Sequence, residues 1–270
     1  MKKWMIGCAA LLTVALAGCS GGEEKENANA TTEAVSKLDD IQEKGKIVIA
    51  TGNYYPFEYL DPATNELVGY DIDLGNHIAE ELGVDVEWKE MQFQALIPTI
   101  QNDQADLVLA AMYITEEREA VVDFPEPYLE TGMVLVRQKD DTRITSVDAL
   151  DGMRIGVKSG ATSEKAAKDL KEQGANIEVV SYKETVDYLL DLEMGRLDAA
   201  MNDYLNQLGY FESYPDSKLE ITGETFTESH LGMAVAKGET ELVEAINEIL
   251  ADMDTNGEKD ALFTKWIDKQ

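Results

Sequence analysis

Apolar positions along the chain alternate between two periods. Short runs rich in β-branched residues predict three strands, at 47–50, 84–89 and 107–110, the last of them buried. Apolar residues that recur every three or four positions predict two amphipathic helices between them, at 74–82 and 95–101. Gly83 follows the first of these helices, at a position where a left-handed residue commonly ends a helix.

A second set of elements of the same kind follows. Strands are predicted at 154–157, 177–180 and 197–201, and helices at 163–173 and 184–194. The last elements predicted are a strand at 232–236, a helix at 239–254 and a further helix that reaches Trp266. This alternation is typical of βαβ units around parallel sheets, so the sequence predicts an α/β protein with two such units.

A short apolar run near the N-terminus has the pattern of an export signal. Lys2 and Lys3 precede it, it covers residues 5–18, and it stops at Cys19. The run is shorter than the roughly 20 apolar residues that a spanning helix needs, and no later stretch approaches that length. We therefore expect residues 1–18 to be a signal peptide.

Residues 16–19 (LAGC) resemble the bacterial lipobox, in which cleavage precedes a cysteine that carries lipid. The resemblance implies that Cys19 anchors the chain to the cell membrane, because two or more acyl chains anchor stably where one is marginal. An ordinary secretory signal with a chance cysteine is the alternative. Residues 19–37 lack apolar periodicity and are rich in Gly, Glu, Asn, Ala and Thr, which predicts a flexible tether.

Charge and reactive residues restrict the function further. The net charge of −30 repels nucleic acid and anionic headgroups, so no nucleic-acid partner is expected. The two cysteines are Cys19 and Cys8, which lies in the predicted signal, so neither a disulfide nor a thiol nucleophile is expected. His77 and Glu80 share a helix face but supply only two metal ligands. We expect no metal and no cofactor.

Several short motifs then occur in a specific order and spacing: YPFEY at 55–59, GYDIDL at 69–74, ITEER at 114–118 and VKSG at 157–160. With these motifs, the chain from 45 to 269 resembles family 3 of the bacterial extracellular solute-binding proteins, the polar amino-acid receptors of ABC importers. Each motif alone is weak evidence, whereas their order along the whole chain is strong.

The resemblance implies a two-lobed, type II periplasmic-binding-protein-like fold with two crossing hinge strands. Lobe 1 would comprise residues 38–136 plus 228–270, and lobe 2 residues 137–227. The ligand would lie in the cleft, which closes by a hinge motion. A monomer that delivers an amino acid to ABC permease and ATPase subunits is the function implied, and catalysis is not expected.

Arg118 is the candidate for binding an α-carboxylate. A zwitterion stripped of water needs an opposite charge or oriented donors at each end, and the planar guanidinium can bind both carboxylate oxygens. Thr115 is a predicted N-cap just before it, so backbone N–H groups of that turn could assist. Without the family resemblance, a surface arginine paired with Glu117 or Glu119 would be the preferred interpretation.

Two groups on the second lobe complete this interpretation. The loop 159–163 joins a strand to a helix and has free N–H groups, and the resemblance assigns Ala161 and Thr162 to the same α-carboxylate. Asp203 follows the strand predicted at 197–201, at the carboxyl end where α/β sheets place ligand groups. It matches the family aspartate that accepts the α-ammonium, although a solvated loop aspartate is the alternative.

Tyr54 and Phe93 match the family's stacking positions, since aromatic faces exclude water and attract a cation or a flat group. Core packing is the alternative, more so for Phe93. The first-lobe strand continues into Ala111 and Tyr113, where many relatives have a small hydroxyl residue. Tyr113 therefore predicts a smaller or differently shaped pocket.

Lys158 occupies a position on the second-lobe loop that argues against a cationic ligand. The segment at Gly52 and Asn53 also lacks the acidic residue of many receptors for basic amino acids, although Glu58 could supply that charge. We expect a neutral polar or acidic ligand, with glutamine-like ligands favoured.

Three alternatives stay open at this point. A few dehydratases and lytic transglycosylases use the same scaffold, but His77 and His230 are the only histidines and no Gly-x-Ser-x-Gly motif occurs. A lipoprotein that senses its ligand is the second alternative. A receptor for an ectoine, an opine or cystine is the third.

Overall fold

The structure is a computed structural model that describes residues 36–268. All described residues belong to one compact unit. The predicted signal peptide, Cys19 and the predicted tether up to residue 35 lie outside the described residues. Within residues 36–268, no helix is both long and apolar enough to span a membrane.

Helices and strands alternate along the described chain. The helices are α1 Lys37–Lys44, α2 Tyr70–Glu81, α3 Leu96–Gln101, α4 Glu116–Glu119, α5 Thr162–Glu172, α6 Thr185–Glu193, α7 Tyr204–Ser213, α8 Thr240–Asn256 and α9 Glu258–Trp266. The strands are β1 Lys46–Thr51, β2 Tyr59–Leu60, β3 Leu67–Val68, β4 Asp85–Glu90, β5 Leu107–Tyr113, β6 Val122–Asp123, β7 Leu129–Thr131, β8 Met133–Gln138, β9 Arg154–Lys158, β10 Glu178–Tyr182, β11 Ala199–Asp203, β12 Leu219–Thr222 and β13 Ser229–Ala236. Short 3₁₀ turns cover Phe93–Ala95 and Val147–Ala149.

The strands form two larger sheets and one small hairpin. The first sheet has the order β4-β1-β5-β13-β6, with β7 also paired to β13. The second has the order β10-β9-β11-β8-β12, and β2 pairs with β3. In both sheets three neighbouring strands are parallel and the next is antiparallel. The predicted α/β class is thus confirmed.

Alternating side chains of the central strands pack on opposite faces of the first sheet. Leu107 and Leu109 of β5 contact the core under α1, α2 and α8, while Val108 and Ala110 contact the core under α3. This period of two places apolar side chains on both faces, as a sheet covered on both sides requires. Each buried Leu or Val contributes roughly 1.5–3 kcal/mol to folding.

Two segments cross between the sheets at Gly132. The chain passes from β7 to β8 through this residue, and returns between β12 and β13. A Cβ on Gly132 would lie 2.2 Å from the carbonyl oxygen of Thr227, so only glycine permits the two segments to approach so closely. The backbone N–H of Met133 donates to Thr227 Oγ1 at 3.0 Å and joins them further.

Some boundaries differ from those predicted. Helix α2 begins at Tyr70, four residues before the predicted start, because Asp71 and Asp73 interrupt the apolar period in a first turn where acidic residues favour the helix dipole. Helix α1 begins at Lys37, the last residue of the predicted tether, where the Ser36 hydroxyl accepts a hydrogen bond from a helix N–H. The predicted lobe boundary after residue 136 lies inside β8, which pairs entirely within the second sheet.

Candidate functional site

A cavity of about 40 Å³, partly open to solvent, lies between the two sheets. One ordered water needs roughly 10–15 Å³, so the cavity holds only a few waters. All the predicted ligand-binding residues line it: Tyr54, Phe93, Ala111, Tyr113, Arg118, Lys158, Ala161, Thr162 and Asp203. Ala110, Met133 and Ser163, which were not predicted, complete the lining.

Arg118 is positioned by a short capped helix. Thr115 caps α4, and its Oγ1 accepts a hydrogen bond from the Arg118 backbone N–H at 3.3 Å. The guanidinium Nη1 donates to the carbonyl oxygen of Tyr113 at 2.6 Å, and Arg118 is only 8% exposed. Burial lowers the pKa of Arg118 to about 10, so it stays charged at neutral pH. The alternative of an exposed surface arginine does not describe this residue.

The second-sheet loop approaches Arg118 from the other side of the cavity. Gly160 has a φ of +74°, and its carbonyl oxygen accepts a hydrogen bond from Arg118 Nη2 at 3.4 Å. Thr162 begins α5, and its Oγ1 accepts from Arg118 Nη1 at 3.5 Å. Because the first N–H groups of a helix have no intrahelical partner, this end of α5 is suited to an anion.

Asp203 ends β11 and caps the N-terminus of α7. Its Oδ1 accepts a hydrogen bond from the backbone N–H of Asn206 at 2.9 Å. Its Oδ2 accepts from the hydroxyls of Tyr113 and Thr131 at 2.6 and 2.7 Å. Burial raises the pKa of Asp203, and the hydrogen bonds that it accepts oppose this rise.

Lys158 presents a buried ammonium between two aromatic rings. Its Nζ lies 4.2 Å from the ring centroid of Tyr54 and 5.4 Å from that of Phe93, and donates to the Asn53 carbonyl oxygen at 3.4 Å. Burial lowers the pKa of Lys158, while the nearby Glu58 acts in the opposite direction. The two aromatic residues therefore stack on a cation already present in the protein.

Three polar residues near the cavity were not predicted from the sequence. Asn202 accepts a hydrogen bond from Tyr54 Oη at 3.1 Å, across the two sheets, and could have been noticed because it precedes Asp203 in the same strand. Thr131, which donates to Asp203, has no distinguishing sequence signal. Asp71 is fully buried behind the cavity wall, and only its place in the GYDIDL motif set it apart.

These groups form a compact arrangement of charge. Within the described residues, the hydrogen bonds of the Arg118 guanidinium go to uncharged oxygens, so its charge is available to an anion. Asp203 offers an opposite charge on the same cavity. In residues 36–268, no three His, Cys, Asp or Glu side chains converge as metal ligands would.

The family model of the bacterial extracellular solute-binding proteins, family 3, matches residues 47–269. The chain belongs to this family. The arginine-binding extracellular protein ArtP of Bacillus subtilis is 32% identical over 271 residues, which cover 99% of this chain and 98% of that protein. The ABC transporter glutamine-binding protein GlnH of the same organism is 31% identical over 260 residues, or 94% and 92% of the two chains.

Solved structures agree with this assignment. An ancestral arginine-binding protein is 38% identical to this chain; its structure bound to arginine has a TM-score of 0.78 and covers 82% of this chain and 98% of that one. A structure of an ancestral arginine-binding protein bound to glutamine has a TM-score of 0.76, with coverages of 82% and 97%. The predicted family and two-lobed fold are confirmed, and these relatives are binding proteins, as the sequence predicted, and not enzymes.

Proposed function

We propose that this chain is the extracytoplasmic substrate-binding component of an ABC importer and that its cavity, which widens to admit the ligand, binds an amino acid with a neutral polar, glutamine-like side chain. The observation that carries the proposal is the pair of buried, opposite charges, Arg118 and Asp203, on one cavity. An α-amino acid has a matching pair, an α-carboxylate and an α-ammonium.

The α-carboxylate binds Arg118 and the first turn of α5. The planar guanidinium donates two parallel hydrogen bonds, and Thr162 begins α5, where the first N–H of the helix favours an anion. The N–H of Ala161, which was expected to be free, donates to the carbonyl oxygen of Lys158 at 3.1 Å. Arg118 comes from one lobe and the loop from the other. One ligand group therefore contacts both lobes, which stabilises the closed state by the difference in affinity between closed and open forms.

The α-ammonium binds Asp203 on the second lobe. Its carboxylate is buried, so an ammonium that reaches it forms a charge-assisted hydrogen bond in a site from which water is largely excluded. The hydroxyl donors Tyr113 and Thr131 hold the carboxylate in one orientation.

Lys158 determines the kind of side chain that fits. An ammonium about 4 Å from a cationic side chain costs about 4 kcal/mol at the effective dielectric of a protein surface, so lysine and arginine are disfavoured. A side-chain carbonyl accepts a hydrogen bond from Lys158, and the rings of Tyr54 and Phe93 cover a flat amide. The proposed cargo thus differs from that of the relatives named for arginine, whereas GlnH is named for glutamine. The ancestral arginine-binding structures, with arginine in one and glutamine in the other, are compatible with either cargo.

The lobes and the anchor belong to the same proposal. The two larger sheets, each with the helices that cover it, form lobes that open about the crossing segments near Gly132, and the domain acts as a monomer. Lipid on Cys19 holds the chain at the outer face of the cell membrane, beside the permease and ATPase subunits that it serves. Replacing Cys19 by Ser should release the protein from the membrane fraction, and retention of that variant would contradict the anchor.

A thermal-shift screen of the purified chain against the twenty amino acids tests the function. A ligand that binds only the folded state raises its melting temperature, and glutamine should do so most strongly. The variants Arg118→Ala and Asp203→Ala should lose about 2–5 kcal/mol of binding free energy in calorimetry, because each leaves an opposite charge unpaired. Arg143→Ala, on an exposed side chain, is the matched control.

The outcomes separate clearly. A shift with one small group of amino acids that both site variants abolish would support the proposal. Absence of any shift would contradict the amino-acid cargo, and normal binding by both variants would contradict the site.

A further inference from the structure

Tyr113 joins the two sheets directly at the cavity. It ends β5 of the first sheet, and its Oη donates to Asp203 Oδ2 of the second at 2.6 Å. Its carbonyl oxygen accepts a hydrogen bond from Arg118 at 2.6 Å. Tyr113 is 6% exposed and lines the cavity. One residue therefore contacts both charged groups that the proposed function assigns to the ligand.

The carboxylate of Asp203 has little acceptor capacity left. A carboxylate accepts about four hydrogen bonds in all. Oδ2 already accepts from Tyr113 and Thr131, and Oδ1 accepts from the backbone N–H of Asn206. By this count about one acceptor direction is left for a ligand cation, on Oδ1.

We infer that Tyr113 restricts the cargo to amino acids whose α-ammonium carries no substituent. The inference rests on the proposed function, in which Asp203 receives the α-ammonium. An N-alkyl group adds at least one methyl beside the ring and replaces an N–H donor. Tyr113 lines the cavity with its Oη 2.6 Å from the Asp203 carboxylate, so a methyl on a nitrogen bound there would have to share the space beside that carboxylate with the phenol. N-alkylated amino acids, a class that includes opines and betaines, are therefore excluded.

The ring and the hydroxyl of Tyr113 have separable effects. Tyr113→Phe keeps the ring and removes the donor to Asp203. Tyr113→Thr removes the ring and places a β-branched residue with a small hydroxyl in β5, which suits a strand. If ring volume excludes the N-alkyl group, only the Thr variant relaxes the selectivity. If Tyr113 merely packs in the core, both variants change stability without changing the selectivity.

Isothermal titration calorimetry compares two ligands for each protein. The first is the amino acid that raises the melting temperature of the wild type most, and the second is its Nα-methyl derivative. The wild type should prefer the first by about 100-fold or more, because the methyl overfills the site and a charge-assisted hydrogen bond is lost. Tyr113→Phe should keep this preference, and Tyr113→Thr should reduce it below about tenfold.

Each result bears on the inference. Similar affinities of the wild type for the two ligands would overturn it and leave the proposed function intact. A Tyr113→Thr variant that is folded by circular dichroism and keeps the full preference would also overturn it. If that variant does not fold, the wild-type comparison still decides. Failure of every amino acid to bind the wild type would overturn the proposed function and this inference with it.

Discussion

Asp71 accepts a hydrogen bond from the backbone N–H of Ala111 at 2.7 Å, directly behind the cavity wall. Ala111 has a φ of +45°, a conformation that costs a non-glycine residue about 1–3 kcal/mol. Asp71 also accepts from Tyr128 Oη at 3.0 Å. The Oδ1 of Asp71 and both carboxyl oxygens of the adjacent Glu58 are buried, and none of the three accepts a hydrogen bond in the described chain. A proton held between the two carboxyl groups satisfies them both.

This pair predicts an unusual dependence of stability on pH. Burial raises the pKa of Asp71 to about 7 from 3.8, and burial also raises that of Glu58. The folded state therefore keeps a proton that the unfolded state releases above about pH 4. This retained proton raises the free energy of unfolding by its full amount below about pH 4. The contribution is lost as the pH rises to about 7.

The variant Asp71→Asn should not lose this part of its unfolding free energy as the pH rises. Its amide oxygen can still accept from Ala111 and Tyr128, and its Nδ2 can donate to Glu58. Relative to the wild type, the variant should gain about 2–4 kcal/mol of unfolding free energy between pH 4 and 7, as a shift of some three pKa units implies. Urea unfolding at pH 4, 5, 6, 7 and 8 measures the difference, with exposed Asp140→Asn as the control. Parallel curves for the wild type and Asp71→Asn would contradict the shared proton.

Lys158→Met should change the charge preference of the cavity. Methionine keeps an unbranched apolar chain between Tyr54 and Phe93 and removes the ammonium. Glutamine affinity should fall about tenfold with the lost hydrogen bond, and the ratio of glutamine to arginine affinity should fall about 100-fold, since a like charge no longer opposes arginine. Calorimetry with both amino acids measures the ratio.

Exposed Lys165 on α5 supplies the control, as Lys165→Met changes the net charge equally without entering the cavity. An unchanged ratio in Lys158→Met, or an equal change in the control, would mean that Lys158 does not select the side chain.

The sequence predicted the lining of the cavity well because two independent signals converged. Strand ends in α/β sheets meet at one edge, which placed Asp203 and the loop 159–163 near the cavity, and the family motifs added Arg118 and Tyr54. The pair of Glu58 and Asp71 could not be derived, because a carboxyl group in a short motif looks the same whether it is exposed or buried.

Element boundaries show a similar limit. The long periodic segments of α5 and α8 were predicted to within two residues. Strands β6 and β7 have two and three residues and no period of their own, so they form only because β13 pairs with them. The crossing at Gly132 is likewise a product of tertiary contact, since nothing near it in sequence indicates Thr227.

Gly160 supplies the last prediction, which separates closure from folding. It has a φ of +74°, and a Cβ there would lie 2.8 Å from the Cβ of Gln94 on the opposite side of the cleft. Gly152 in the same lobe has a φ of +75°, and a Cβ there would meet nothing within 4 Å.

Alanine at either position costs about 1–2 kcal/mol of backbone strain, so both variants should lose similar unfolding free energy. Only Gly160→Ala opposes closure, and it should therefore weaken ligand binding by about tenfold or more while Gly152→Ala binds normally. Urea unfolding without ligand and calorimetry with ligand measure the two effects separately. Equal affinities for the two variants would mean that the contact between Gly160 and Gln94 plays no part in closure.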